Sequence, residues 1–472
     1  MRTRRAGSTR AQLRGRGAVM VYVIACIAAL AGLLTGYDES VITATLAPLG
    51  RTLVVAPMEE GLMTASLPLG ALMGALAGAL LSGSWGRRPL LMGAAVLFIA
   101  GALVSAGAPG IILHAVGRFV LGVAIAIGAI TAPAYIAETA PAARRGMLAC
   151  AFPMAFSIGV LAAYLVGVAV DDDWRLLFAS AAAPGLVLLV ALWRLPESPP
   201  ALVQAGRVEE AGALVARLNG WKSRDPRITA EVAALRAAAR ADARNGNWRD
   251  LLAPEIRPAL LVGTGLFFFQ QMTGIGPAIH YAPTVFAQAG LDEGSAQIAT
   301  TLGFGALNIA VMVVAMALVD RIGRRRLLFL GFGGAAFSLA LLAATAAIGT
   351  LEVQVFAFMA LALYGASFSL AIGPLPWVMA SEVFPLTLRG AGIALSTLSN
   401  WVFGFLALLA FPPLEQAFGF APVFALAAVM SLLAMLFGAR CVPETKGRTL
   451  EEIEAHLRSG QPLRTLGAPA RR

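Results

Sequence analysis

The chain has 472 residues, of which 58% are hydrophobic and only 13% charged, with 50 glycines and a formal net charge of +10. Soluble domains carry about 25% charged residues, and surface grows too fast with mass for a soluble chain to hide so much apolar material. The composition excludes a water-soluble globular protein and points to a bilayer as solvent.

A spanning helix needs about 20 apolar residues. In chain order such runs fall at 19–46, 61–82, 89–107, 111–132, 147–170, 174–195, 258–287, 295–318, 327–348, 353–380, 390–411 and 419–440. The expected fold class is an all-α integral membrane protein of twelve transmembrane helices. The first run is too long, and followed by too many others, to be a cleaved signal peptide. Cys26, Cys150 and Cys441 lie in or beside spans, so no disulfide framework is expected.

The positive charge does not mark a nucleic-acid partner, because of where it lies. Arg2, Arg4, Arg5, Arg10, Arg14 and Arg16 precede the first span; Arg87 and Arg88, Arg144 and Arg145, and Arg321 with Arg324, Arg325 and Arg326 occupy alternate loops. The other loops carry Glu59 and Glu60, Asp171 to Asp173, Asp292 and Glu293. Arg and Lys mark cytoplasmic loops, so both termini are expected in the cytoplasm. The basic tail also suits anionic lipid.

The chain then divides into a basic tail (1–17), a six-helix bundle (18–195), a linker (196–256), a second six-helix bundle (257–440) and a second tail (441–472). In the linker, Leu202, Val203, Val208, Ala211, Leu214 and Leu218 recur at roughly helical spacing, which predicts short amphipathic helices on the cytoplasmic face. The two bundles repeat one another. Gly86-Arg87-Arg88 returns as Gly323-Arg324-Arg325, Glu138 with Arg145 as Glu382 with Arg389, and Pro196-Glu197-Ser198 as Pro443-Glu444-Thr445. Six spans plus six in parallel repeat is a transporter architecture with its solute site near the midplane.

Several polar residues sit where apolar ones are expected. Asp38 interrupts the first span and Arg118 the fourth; a charge at such a depth is costly and marks function. The two can alternate between an ion pair and a protonated, released carboxyl. The alternative is that Asp38, beside Glu39, lies at a helix end in a wet interface. Gln270 and Gln271 are neighbours and so point about 100° apart on a helix; one can face a cavity and the other a neighbouring helix. Gly274-Ile275-Gly276-Pro277 and Gly373-Pro374 predict helix breaks, tolerable only where protein or a cavity covers the freed backbone. Trp377 sits at the second break, in mid-span and not at an interface, which favours a pocket over an anchor. His280 can titrate near neutrality, although a lone His is more often a satisfied polar residue.

The loop charges form a second constellation: Glu138, Arg145 and Glu197 in the first half, and Asp320, Arg321, Arg324, Arg325, Glu382, Arg389 and Glu444 in the second. Pairs among helix ends can latch one conformation, or they can serve topology alone. No Gly-Lys-Ser phosphate loop, metal-ligand cluster or nucleophile–base pair is legible, so no ATP, metal or other cofactor and no enzyme activity are expected.

The chain resembles the sugar porter family of the major facilitator superfamily. The resemblance rests on Gly32-Leu33-Leu34-Thr35-Gly36-Tyr37-Asp38, Gly117-Arg118, Pro133-Ala134-Tyr135-Ile136-Ala137-Glu138, Pro196-Glu197-Ser198-Pro199, Phe269-Gln270-Gln271, Tyr281-Ala282-Pro283, Asp320-Arg321-Ile322-Gly323-Arg324-Arg325, Gly373-Pro374-Leu375-Pro376-Trp377 and Pro443-Glu444-Thr445-Lys446-Gly447, nine signatures in order. It implies two pseudo-symmetric bundles in the cell (plasma) membrane and a monosaccharide or polyol as solute. It also implies a proton gradient as driving force through Asp38, with one chain as the working unit. It assigns Gln270, Gln271, Asn308, Trp377, Asn400 and Trp401 to the solute. A facilitative carrier, a carrier of a non-sugar solute and a solute sensor are the alternatives; the short tails argue against the sensor.

Four departures stand out. Gly83 and Ser84 replace an acidic or Asn residue and an Arg in the first loop motif, which predicts a weaker latch in the first half. Pro200 replaces an Arg after Pro-Glu-Ser-Pro. Pro153 and Val160 stand where relatives have glutamines in span five. Gly276 and His280 replace a usual Asn and Tyr.

Overall fold

A computed structural model describes residues 2–52, 57–140, 148, 151–170, 173–222, 225–244, 248–280, 304–348, 354–385, 388–446, 450–459, 461 and 463–466. Every regular element among them is helical. The first half contains α1 (Arg2–Thr52), α2 (Pro57–Trp85), α3 (Arg87–Gly107), α4 (Ile111–Thr139), α5 (Ala151–Ala169), α6 (Trp174–Ser180) and α7 (Ala182–Trp193). The linker forms α8 (Pro199–Gln204), α9 (Val208–Asn219) and α10 (Pro226–Arg244), the short amphipathic helices its periodicity predicts. The second half contains α11 (Arg257–Met272), α12 (Ile275–His280), α13 (Phe304–Ile322), α14 (Arg324–Ile348), α15 (Gln354–Ser367), α16 (Leu375–Val383), α17 (Arg389–Phe418), α18 (Phe420–Cys441) and α19 (Leu450–Arg458).

Nine helical stretches among the described residues are long and apolar enough to cross a membrane, and Ala151–Gly167 is a shorter apolar one. The remaining expected spans, 258–287 and 295–318, coincide in part with α11, α12 and α13; residues 281–303 lie outside the description. Helix ends differ from the expected ones. The fourth helix does not stop near 132 but runs through Pro133 to Thr139, and α17 passes 411 and continues through Pro412 and Pro413 to Phe418. Proline removes one backbone donor without ending a helix that neighbours support.

The chain forms two compact units, Met1–Val41 with Leu69–Asn245, and Ile42–Pro68 with Gly246–Arg472. The linker helices therefore belong to the first unit, and residues 42–68 to the second. Inside the second unit Gly61 lies against the Leu409 backbone, where an added Cβ would come within 2.6 Å of its carbonyl oxygen.

Without a hydrophobic drive in lipid, helices associate through close packing at small residues. In the first unit Gly32 and Gly36 of α1 lie on the Phe152 and Phe156 carbonyls of α5, where a Cβ would fall 2.4 Å and 2.0 Å from the oxygens. Gly159 returns the contact against Leu33 at 2.1 Å. Gly70 and Gly74 of α2 lie in the same way on Phe119 and Val123 of α4, at 1.9 Å and 2.3 Å. These spacings bring α1 and α5 together at the level of Asp38. In the second unit, Val262, Leu266, Phe332, Leu339, Tyr364, Leu375 and Met379 belong to one buried apolar cluster.

Candidate functional site

Asp38 and Arg118 meet in the first unit. Arg118 Nη1 donates to Asp38 Oδ2 at 2.9 Å, and both side chains are 1% exposed. Asp38 is thus deep in the helix packing and not in a wet interface. Two residues of the same turn have their own places: Tyr37 hydroxyl lies 2.6 Å from Ser180 Oγ, and Glu39 is half-buried. One turn before Arg118, His114 is fully buried, a residue to which sequence reading gave no role.

The second unit gathers the amides and the helix breaks. Gly274, at φ +80°, separates α11 from α12, as Gly274 to Pro277 predict. Its preceding carbonyl is not abandoned: Tyr364 hydroxyl donates to the Thr273 carbonyl at 2.9 Å. The second break is a π turn, Phe368–Ile372, followed by α16. Pro374 and Pro376 have no N–H, so the carbonyls four residues earlier lose their usual donors. Gln270 supplies a replacement for the second of these, Ile372, and also reaches the next carbonyl. Its Nε2 donates to the Ile372 and Gly373 carbonyls, both at 2.9 Å. Both amide hydrogens are spent in this way and the side chain is buried, so in this conformation Gln270 braces a neighbouring helix and does not present donors to a cavity. Sequence reasoning foresaw that the two glutamines would face different ways but also assigned both to the solute.

Gln271 faces elsewhere. Its Nε2 donates to Asn400 Oδ1 at 2.7 Å, beside Gly404, where an added Cβ would lie 3.5 Å from the Gln271 amide. Trp377 is 45% exposed and stands edge-on to Phe267, with centroids 4.9 Å apart. Trp401, next to Asn400 on α17, is half-buried. Asn308 lies on α13 and His280 at the end of α12; their side chains are outside the described set.

The loop charges build two matching networks. In the first unit the Glu197 carboxylate caps α3, accepting from the backbone N–H of Arg87 at 2.9 Å and of Arg88 at 3.2 Å. Arg87 pairs with Glu138 at 2.8 Å, and the Arg88 guanidinium donates to the Leu192 and Trp193 carbonyls. In the second unit Glu444 accepts from the backbone N–H of Arg324 at 3.1 Å and of Arg325 at 3.2 Å, Arg324 pairs with Glu382 at 3.0 Å, and Arg325 donates to the Ala439 carbonyl. Negative charge at a helix N-terminus is favourable. Gly86 and Gly323, at φ +87° and +100°, turn the chain into each cap. These caps begin at Gly86 and Gly323; the side chains at 84 and 320, on which the expected asymmetry rests, lie outside the described set. The Arg321 carbonyl accepts from Lys446 Nζ at 2.6 Å. The side chains of Asp320 and Arg389 are not among those described, and Arg145 lies outside the described residues.

The model of the sugar (and other) transporter family matches residues 24–457. The glucose transporter GlcP of Staphylococcus epidermidis is 35% identical over 94% of this chain and 99% of its own length. The D-xylose transporter of Levilactobacillus brevis is 33% identical over 91% of this chain and 94% of its own. Among solved structures, the proton:xylose symporter XylE of E. coli bound to 6-bromo-6-deoxy-D-glucose superposes with a TM-score of 0.75 at 29% identity, covering 93% of this chain and 99% of that one. The chain belongs to the sugar (and other) transporter family of the major facilitator superfamily and is a multi-pass membrane transporter, not an enzyme.

Proposed function

We propose that the chain couples the downhill movement of a proton to uptake of a monosaccharide or related polyol by alternating access. The observation that carries this reading is the Arg118–Asp38 pair, 1% exposed inside an apolar helix unit. Ionised, Asp38 neutralises Arg118; protonated, it leaves Arg118 uncompensated. Desolvation favours the protonated carboxyl and the guanidinium favours the ionised one, so a change of access that alters either balance moves a proton. The name of XylE, a proton:xylose symporter, supports the same chemistry. The solute contacts Gln271, Asn400, Trp377 and Trp401, with Asn308 and His280 as further contacts and Gln270 as a brace behind them. Mixed donors and acceptors of this kind suit hydroxyls. The charge networks at the two repeated loops latch one conformation and open in another. The proton gradient is the driving force, no cofactor takes part, and one chain is the working unit. It sits in the plasma membrane with both termini in the cytoplasm, as the distribution of Arg requires.

The test uses purified protein in liposomes with labelled D-xylose and D-glucose. Asp38→Asn keeps the shape and removes the titratable group. It is expected to abolish accumulation driven by a pH gradient while retaining part of the counterflow exchange. Arg118→Ala is expected to damage coupling as well. Gradient-driven accumulation by Asp38→Asn at the wild-type level would end the proton reading and leave an uncoupled carrier.

A further inference from the structure

One fully buried polar side chain next to the ion pair has no role in that scheme. His114 lies on α4 one turn before Arg118, with its Nδ1 3.2 Å from the Ser105 carbonyl. A carbonyl only accepts, so Nδ1 carries the hydrogen and Nε2 presents a lone pair. Nε2 is buried and has no hydrogen-bond partner among the described residues, and the same holds for Arg118 Nε and Ser105 Oγ. Ser105 belongs to the same corner, since a Cβ on Gly117 would meet its hydroxyl at 2.3 Å. The rest of the wall is aromatic: Trp174 and Phe178 stand edge-on to the imidazole at 5.6 Å and 4.8 Å.

Unpaired buried polar atoms are expensive, and an apolar residue would pack among these rings without that cost. The three atoms are also chemically matched to water. Arg118 Nε–H is a donor, His114 Nε2 an acceptor, and the Ser105 hydroxyl both. The charged groups that act on the ring are Arg118 on its own helix, itself paired with Asp38 of α1, and Arg175 at the start of α6. The ring stands between Arg118 and the ends of α3 and α4, which the acidic segment 171–173 marks as the non-cytoplasmic side.

Resting on the proton-coupling reading above, we propose that His114 relays the proton between the non-cytoplasmic side and Asp38. Nε2 accepts an excess proton passed along water from the non-cytoplasmic side, Nδ1–H stays on the Ser105 carbonyl, and Nε2 hands the same proton through water to the Asp38 carboxylate, so that each water is left unchanged. Only N–H and O–H bonds form and break, and nothing is oxidised or reduced.

The experiment compares wild type, His114→Gln, His114→Phe and Ser105→Ala in liposomes with labelled D-xylose and D-glucose. Initial uptake under a pH gradient is measured across external pH, beside counterflow exchange at equal pH on both sides. Gln keeps a polar side chain and cannot relay a proton. His114→Gln is expected to slow gradient-driven uptake by about tenfold or more, flatten its pH profile and leave counterflow near wild type, with Ser105→Ala affected less. Wild-type uptake and pH profile in His114→Gln overturn the relay. Equal loss of uptake and counterflow in His114→Gln and His114→Phe, with Ser105→Ala unaffected, assigns His114 to packing and also overturns it. If wild type itself shows no gradient-driven accumulation, the coupling reading fails and the relay falls with it.

Discussion

Gln271 and Asn400 share a hydrogen bond of 2.7 Å that uses one of the four amide hydrogens and one of the two carbonyls present. Three hydrogens and one carbonyl remain by count, and under the proposed function these meet the hydroxyls of the solute. Removing either residue takes away direct partners and also frees the other amide to rotate. Gln271→Ala and Asn400→Ala are each expected to weaken xylose or glucose affinity by about 0.5–1.5 kcal/mol, roughly two- to tenfold. The double variant should lose less than the sum, because residues in contact are coupled. Titration calorimetry on the detergent-solubilised protein checks both; strict additivity would mean that the two amides act on the solute independently. Such residues were legible because polar side chains in apolar runs stand out, and Asp38, Arg118 and Gln271 were found that way, whereas Asn400 came from the family resemblance. The brace made by Gln270 was not, since it depends on carbonyls 102 and 103 residues later in the chain. His114 was missed for a similar reason. Its partner Ser105 lies on another helix, and no spacing rule joins them.

At the scale of helices, the first unit is held by glycine contacts made backbone to backbone. A Cβ at Gly36 would sit 2.0 Å from the Phe156 carbonyl oxygen, so α1 and α5 must separate to admit it. Asp38 lies two residues further along the same helix and would move with it. Gly36→Ala is expected to cost about 1–3 kcal/mol, the range for overpacking a tight contact, and to lower the thermal midpoint in detergent together with coupled uptake. Gly93 on α3, with nothing within 4 Å of its added Cβ, is the control, and Gly93→Ala should change neither. If both variants melt alike, the close approach is not what holds α1 to α5. The Gly-x-x-x-Gly spacing of Gly32 with Gly36, and of Gly70 with Gly74, could be read directly. Their partners could not, because one spacing fits any helix with an accessible backbone. The breaks at Gly274 and Gly373-Pro374 were legible from Gly and Pro chemistry. Helix ends were not, because Pro133, Pro412 and Pro413 look like terminators until neighbouring helices are known to support them.

For the molecule as a whole, the repeat visible in sequence is reproduced in geometry. Glu197 and Glu444 each cap the helix after a left-handed glycine, and each network adds an Arg–Glu pair at 2.8 Å or 3.0 Å. What composition hid is the division into units, which cuts α1 after Val41 and α2 after Pro68 and not in the linker alone. Apolar runs mark where a helix crosses lipid and carry no record of which unit each end packs in. The networks lead to a symmetry prediction. Each glutamate accepts two backbone N–H groups of the helix it caps and one from its own loop, Ser198 or Lys446, and its removal leaves those donors and one end of a helix dipole uncompensated. Glu197→Ala and Glu444→Ala are therefore each expected to destabilise by about 1–3 kcal/mol. The two sets of named partners have no residue in common, so the double variant should add the single effects to within about 0.5 kcal/mol. Denaturant unfolding of the four proteins in one detergent provides the comparison. A cost several-fold larger at Glu444 would bear out the asymmetry inferred from Gly83 and Ser84, locating it in charges beyond these caps. A double variant far from additive would mean that loss of one cap changes the state in which the other is needed, as a latch shared between the halves would require.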